Sequence, residues 1–325
     1  MKLQVREDVF PIAGAFTISR GTRTESRVVT VSVSDGDASG WAECYPYARY
    51  DETVESVMAQ INAIAPALAG GMDRMAVQSA MPPGAARNGV DCALWDLEAK
   101  RAGKRVWELA GLPEPQPEIT AYTLSLEEPD VMRAKAAENA HRPLLKIKLG
   151  GAGDIERLRA VREGAPKAKI VVDANEGWDA ATYARIAPVV LDLGVAMVEQ
   201  PLPASNDGAL SGMDRPLPVC ADEACHDRAS LPELAGKYDM INIKLDKAGG
   251  LTESLALKAE AERLGLKVMV GCMIGSSLGM APATLVAQGA AVVDLDGPLL
   301  LAQDRDTPLT YDEHGVHPPA ANLWG

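Results

Sequence analysis

From residue 118 to residue 296 the chain repeats one pattern: a short β-branched run, a turn, a helical stretch, then the next β-branched run. The runs are EITAYTL, LLKIKL, KIVVDAN, VAMVEQP, LPVCADE, DMINIKL, KVMVGCM and VVDLD, and their ends recur every 22 to 28 residues. One strand and one crossover helix use up that length, and parallel neighbours need such a crossover. Helix candidates at 130–141, 154–163, 179–193 and 252–264 fill the intervals, several of them closed by glycine. Eight parallel strands can close into a barrel or stay open as a doubly wound sheet, and the placement of charge separates the two. A barrel delivers the C-terminal residues of every strand to one mouth, whereas an open sheet concentrates function at a switch point. Here Lys146 and Lys148, Asp173 and Asn175, Glu199, Asp222 and Glu223, Lys244, then Asp294 and Asp296 stand at the C-terminal ends of nearly all the runs. An α/β fold of the (β/α) barrel type is expected. No G-x-G-x-x-G or P-loop follows a strand, which leaves a dinucleotide site without support.

The first 113 residues lack this alternation. RVVTVSVSDGDASGWAEC (27–44) predicts a hairpin turning at Ser-Asp-Gly-Asp, and two helices follow in ETVESVMAQINAIAPALAG and GAARNGVDCALWDLEAKRAG. The prolines of GLPEPQPE (111–118) then punctuate the chain. The expected units are an α+β domain over 1–113 and a barrel over 114–297. With 47% apolar residues in 325, the chain can bury a substantial core, and a formal charge of −13 without a basic run argues against nucleic acid or an anionic membrane as partner. Cys44, Cys92, Cys220, Cys225 and Cys272 are odd in number and lie mostly in apolar runs, so they read as reduced thiols; Cys220 and Cys225 lack zinc-site spacing. With no secretory signal and no apolar window of ~18 residues, the expected compartment is the cytoplasm.

Asp173, Glu199 and Asp222 end consecutive strands, so a barrel makes them neighbours. Oxygen ligands without imidazole or thiolate suit Mg²⁺, with Mn²⁺ as a substitute. Lys146 and Lys148 are two apart on one strand and face the same side; Lys244 ends a strand across the ring. A lysine out of water and near other cations has its pKa lowered, which fits it to act as a base. Lys247 reads as a loop charge. A cation gripping a substrate carboxylate stabilises the enediolate left when the α-proton departs, and a lysine on each face can remove or return that proton.

The order K-x-K, D-A-N, E-Q-P, A-D-E and N-I-K-L-x-K-x-G-G resembles the enolase superfamily, in its muconate lactonizing subgroup, over essentially the whole chain. The resemblance implies an α+β capping domain, joined by the C-terminal tail 298–325, on a modified TIM barrel, (β/α)₇β. It also implies Asp173, Glu199 and Asp222 as Mg²⁺ ligands, Lys148 and Lys244 as the acid/base pair and Lys146 in support. Of the histidines, His141, His226, His314 and His317, none ends the seventh strand, where Cys272 and Met273 stand as candidate substrate contacts. The histidine-dependent mandelate racemase and sugar-acid dehydratase subgroups are therefore not expected.

The resemblance to the two-lysine subgroup implies one of three reactions: lactone formation, dehydration to o-succinylbenzoate, or dipeptide epimerisation. DLDGP (294–298) bears on the choice. If the strand continues through it, Asp294 and Asp296 share a face, and a dipeptide brings an ammonium group to neutralise them. The substrates of the other two reactions carry only negative charge. This D-x-D also resembles the one that dipeptide epimerases use. FTISRGTRTES (16–26), a polar segment between two strand-like runs, resembles the mobile capping loop of the superfamily, and Arg20 or Arg23 in it could pair with an acidic side chain of the second residue. The overall similarity is to L-Ala-D/L-Glu epimerases of murein peptide recycling, and it implies an isomerase of that kind. A cycloisomerase or o-succinylbenzoate synthase is the alternative, and a non-catalytic metal-binding barrel a more distant one. The expected partner is a small-molecule dipeptide, with no nucleic acid and no membrane, in a chain free to form a homo-oligomer. Tyr45 and Arg49, in ECYPYARY, belong to a second loop and carry no assigned role.

Overall fold

A computed structural model describes all 325 residues. Strands β1 (Lys2–Ile18), β2 (Gly21–Asp35) and β3 (Ala38–Cys44) form an antiparallel sheet, and β2 turns into β3 through Gly36 and Asp37, with Gly36 at φ 60° where the hairpin requires it. The helix Ala85–Ala102 covers the sheet. The stretch 16–26, expected as a loop, instead continues both strands to a tight turn at Ser19 and Arg20, with Thr17 opposite Thr22 and Phe16 opposite Arg23. Ladder hydrogen bonds do not need an apolar face, so pairing runs on through polar residues. A register shift between Pro11 and Phe16 bends the hairpin, as bulges do.

The barrel strands are β4 (Tyr122–Leu124), β5 (Leu144–Lys148), β6 (Lys169–Asp173), β7 (Val195–Glu199), β8 (Val219–Ala221), β9 (Met240–Ile243), β10 (Lys267–Gly271) and β11 (Val292–Asp294). They pair in sequence order, all parallel, and the ring closes where Thr120 bridges Val293 and Ala121 N donates to Val293 O at 2.8 Å. Helices Pro129–Glu138, Asp154–Gly164, Ala180–Asp192 and Leu251–Arg263 occupy the predicted intervals, while only short 3₁₀ turns join β7 to β8.

Alternation along the strands sorts the interior into levels. Ala121, Leu144, Val171, Met197, Cys220, Met240, Met269 and Val292 form a buried apolar plug, one residue from each strand or its flank. Two residues further on, the same face of each strand carries Thr123, Lys146, Asp173, Glu199, Asp222, Asn242, Gly271 and Asp294. The intervening Leu145, Val172 and Val198 point the other way and join the main core. The fold thus sets a polar ring directly on an apolar floor.

The tail packs against both units. Val316, in the short ribbon β12 (Tyr311–Asp312) and β13 (Gly315–Val316), bridges Glu118, and Trp324 is fully buried with its Nε1 donating to Cys92 O at 3.2 Å. Trp41 Nε1 donates to Leu323 O at 2.6 Å. Replacing Trp324 by alanine removes a fully packed indole, so urea denaturation should show a loss of about 3–5 kcal/mol. An unchanged denaturation midpoint would mean that the docked tail does not hold the unit.

Candidate active site

Asp173, Glu199 and Asp222 come together as expected: their ligand oxygens lie within 4.8 Å of one another, and all three residues are buried. Asn175 donates to Asp173 from its backbone N at 2.8 Å and from Nδ2 at 3.1 Å. Asn242 Nδ2 donates to Glu199 Oε1 at 2.7 Å. Asn242, which sequence reasoning did not single out, needs the glycine beside it, because a Cβ on Gly271 would sit 2.6 Å from Asn242 Oδ1. The only sequence signal was its position, two residues before Lys244 on an inward face.

The lysines divide among these acids. Lys146 Nζ lies 2.7 Å from Asp294 Oδ2, 2.7 Å from Glu199 Oε2 and 3.3 Å from Asp173 Oδ2. The contact with Glu199 lacks hydrogen-bond geometry, which leaves Glu199 Oε2 without a hydrogen bond. Lys148 Nζ reaches Asp173 Oδ2 at 2.6 Å, and Lys244 Nζ reaches Asp222 Oδ2 at 2.8 Å. Lys247 is not a loop charge: the short helix Leu245–Ala248 folds it inward, where it is buried and donates to Asp222 Oδ1 at 2.6 Å and Asn242 O at 3.0 Å.

Protonation follows from this mixture. Burial pushes Glu199 up, Asp173 pushes it the same way, and the carboxyl reaches about 7. Burial also works to raise Asp173, but Lys148 and Lys146 outweigh it and bring the group down to about 2. Burial alone would lower Lys244, as expected for a desolvated base; the Asp222 carboxylate outweighs burial and holds the ammonium well above its ordinary range. The expectation of a lowered lysine is reversed because the nearest charge is a carboxylate.

Ring order fixes which groups oppose one another. In a closed ring of eight strands, β5 and β9 lie four places apart, so Lys148 and Lys244 face each other across the mouth. β7 and β11 are likewise opposed, which sets the three acids, centred on Glu199, across from Asp294. Strand β11 ends at Asp294, so Asp296 lies beyond it and caps a 3₁₀ turn, a departure from the expected continuous strand face. The next residues, Gly297 and Pro298, turn the chain away. Asp296 is still close enough to matter: burial first, then Asp294, push its carboxyl up to about 7, and its Oδ2 accepts from Thr123 N at 2.6 Å.

A narrow cleft of about 80 Å³, open to solvent, lies over the polar ring. Phe16, Ile18, Arg20, Arg23, Tyr45 and Tyr47 line it from the first unit, and Lys148, Lys244, Glu223, Cys272, Met273 and Ile274 line it from the barrel. Asp294 and Asp296 are buried and do not form part of this lining. The two arginines differ. Arg20 is spent on protein groups, with Nη2 2.6 Å from Glu223 Oε1 and Nη1 3.2 Å from Glu176 Oε2. Arg23 lies 5.6 Å from the ring centres of both Tyr45 and Tyr47, donates to the Tyr45 hydroxyl and meets no carboxylate. Arg49 binds Glu176 through Nε and Nη2, each at 3.0 Å, tying the second loop to the barrel rim. His226 packs edge-on against Tyr50 and does not line the cleft.

Residues 1–111 match the mandelate racemase / muconate lactonizing enzyme N-terminal domain, and residues 131–321 match the enolase C-terminal domain-like family. The chain belongs to the enolase superfamily. An L-Ala-D/L-Glu epimerase of Escherichia coli (strain K12) is 44% identical over 317 residues, covering 97% of this chain and 99% of its own length. An N-acetyl-D-glutamate racemase of Pseudoalteromonas sp. is 41% identical over 300 residues, 92% of this chain and 95% of its own. Among solved structures of the superfamily, an Agrobacterium tumefaciens member with homology to dipeptide epimerases, holding sodium and L-Ala-L-Glu, superposes with a TM-score of 0.97 at 56% identity over 99% of both chains. A dipeptide epimerase from Enterococcus faecalis V583, complexed with Mg and L-Leu-L-Tyr, gives a TM-score of 0.90 at 28% identity over 99% of this chain and 98% of its own.

Proposed function

We propose that this chain is a Mg²⁺-dependent dipeptide epimerase acting on L-Ala-D/L-Glu, and that it inverts the Cα of the C-terminal residue by a two-base 1,1-proton transfer. The observation that carries the reading is the pair of crossed diameters: lysine facing lysine, and the acid cluster facing Asp294. Three buried carboxylates within 4.8 Å, one with an oxygen lacking a hydrogen bond, are a hard-oxygen set that fits Mg²⁺. Bound there, the metal would polarise the substrate carboxylate and make the neighbouring α-proton more acidic. Lys148 and Lys244 then address that proton from opposite sides, one removing it and the other returning one, while Lys146 braces the acids. Asp294, whose Oδ1 is buried without a partner, and Asp296 receive the dipeptide's ammonium group. Arg23, with no carboxylate of its own, pairs with the side-chain carboxylate of the second residue, and Cys272 and Met273 form part of the wall.

The proposed units are a cap of residues 1–113 joined by 298–325, and a barrel of 114–297; the docking of Trp324 against the first unit supports that division. No helix is long and apolar enough to cross a membrane. The five unpaired thiols support a reducing, cytoplasmic setting, and a place in murein peptide recycling belongs to the same proposal.

One observation favours a second reading. Lys146 already neutralises Asp294, so a substrate with an acylated nitrogen, such as N-acetylglutamate, would not leave that aspartate unpaired. The test incubates the chain with Mg²⁺ in ²H₂O and L-Ala-L-Glu, N-acetyl-L-glutamate or the succinylbenzoate precursor. Deuterium at Cα of both dipeptide epimers, with the highest kcat/KM for the dipeptide, is expected. Exchange on N-acetylglutamate alone would move the assignment to an N-acylamino acid racemase, and turnover of the precursor alone to a synthase.

A further inference from the structure

Gln200, next to Glu199, is fully buried and holds φ 33°, a left-handed conformation that strains a non-glycine residue. Its contacts explain why the strain is kept. Its backbone N donates to Cys220 O at 2.9 Å and its O accepts from Glu176 N at 2.9 Å. Its side-chain Oε1 accepts from Asp222 N at 2.9 Å and from Ala224 N at 3.1 Å. One residue therefore joins the ends of β7 and β8 to the loop after β6, the three segments that carry Asp173, Glu199 and Asp222.

The clasp works only if the amide oxygen, not the amide nitrogen, faces those two N–H groups. A buried chain of hydrogen bonds sets that orientation. Gln200 Nε2 donates to Leu202 O at 2.9 Å and to the Tyr238 hydroxyl at 2.8 Å. The hydroxyl can receive it because its own proton goes to Asp207 Oδ2 at 2.8 Å, and the other Asp207 oxygen takes Lys237 Nζ at 2.7 Å. A carboxylate only accepts, and so does the Leu202 carbonyl, so Asp207 at the outer end and Leu202 at the inner one hold the amide in the same sense; reversing it would leave buried groups unpaired. Tyr238, Asp207 and Lys237 do not line the cleft.

We infer that Gln200 is a positioning residue for the metal-binding acids, with its amide oriented by Tyr238, Asp207 and Lys237; the inference rests on the reading of Asp173, Glu199 and Asp222 as Mg²⁺ ligands. Its effect is on the placement of Asp222 and so on metal affinity.

The test titrates Mn²⁺, by the spin resonance of the free ion, into the whole chain and its Gln200→Ala, Asp207→Asn and Asp173→Asn variants, with circular dichroism to verify the fold. Gln200→Ala should weaken Mn²⁺ binding about 10- to 100-fold, as loss of groups that orient metal ligands commonly does. Asp207→Asn, remote from the cleft, should weaken it less but in the same direction, and activity lost at low metal should return at saturating metal. A folded Gln200→Ala variant that binds Mn²⁺ with the affinity of the unmodified chain overturns the inference. If that variant does not fold, Asp207→Asn decides: unchanged affinity overturns the inference and weakened affinity supports it. An unmodified chain that binds no Mn²⁺, or whose binding survives Asp173→Asn undiminished, instead overturns the metal reading and takes the inference with it.

Discussion

With Lys148 or Lys244 replaced by alanine, epimerisation of L-Ala-L-Glu is expected to slow by about 10²- to 10⁴-fold, the usual contribution of a positioned acid or base. A two-base transfer at a carbon needs proton carriers on opposite sides, and the strands at whose ends these lysines stand are four places apart in a ring of eight. The two variants should not be equivalent in ²H₂O. Each keeps one lysine, so each should still exchange the α-proton of the epimer whose proton faces that lysine, while forming almost none of the other. The order of strands predicts complementary behaviour: the epimer that exchanges in one variant is inert in the other. Epimerisation near the wild-type rate in either variant would remove that lysine from the mechanism. Exchange of the same epimer by both would mean that they do not address opposite faces.

The second large effect belongs to Asp296. Asp296→Asn should lower kcat/KM for L-Ala-L-Glu by about 10- to 150-fold, the equivalent of one hydrogen bond to a charged group at about 1.5–3 kcal/mol, while Mg²⁺ affinity is retained. N-acetylglutamate, which has no ammonium group, should not be penalised. The sign of the pH dependence follows from the raised carboxyl. Burial and Asp294 push Asp296 up to about 7, so it is neutral below that pH and gains the charge that attracts an ammonium only above it. Dipeptide binding should tighten as pH rises through about 7, then weaken as the substrate's own amine loses its proton near about 8. A rise that persists unchanged in Asp296→Asn would assign it to another group. Loss of Mg²⁺ binding in the variant would return D-x-D to a metal role.

The barrel and its polar ring were legible because one rule produces both. Side chains two apart share a face, so K-x-K places both lysines inward, and the β-branched neighbours mark the outward face. What escaped sequence reading depends on contacts between distant segments. Lys247 looks like a loop residue until the turn at Leu245–Ala248 carries it beneath Asp222. Nothing local separates Arg20 from Arg23; the difference arises because Glu223 and Glu176 rise from the barrel to engage the first and not the second. The hairpin tip has the polarity of a loop, since a strand that projects above a barrel has little apolar surface to bury. The interface of Glu43 with Ser276 and Arg305 was equally silent: Arg305 Nη2 lies 2.6 Å from Glu43 Oε2, and 262 residues separate the two in the chain. That contact steadies the segment after β10 that lines the cleft.

The stacking of a charged level on an oily one has a consequence for length changes. Each barrel strand carries its register as a parity, with odd and even positions assigned to different solvents. Deleting one residue from the middle of β5 would exchange the parity of everything beyond it, turning an ammonium toward the helices and Ile147 toward the acids. Deleting two would restore parity and merely shorten the strand. The barrel should therefore tolerate indels in the loops at its rim, and within its strands discriminate odd from even.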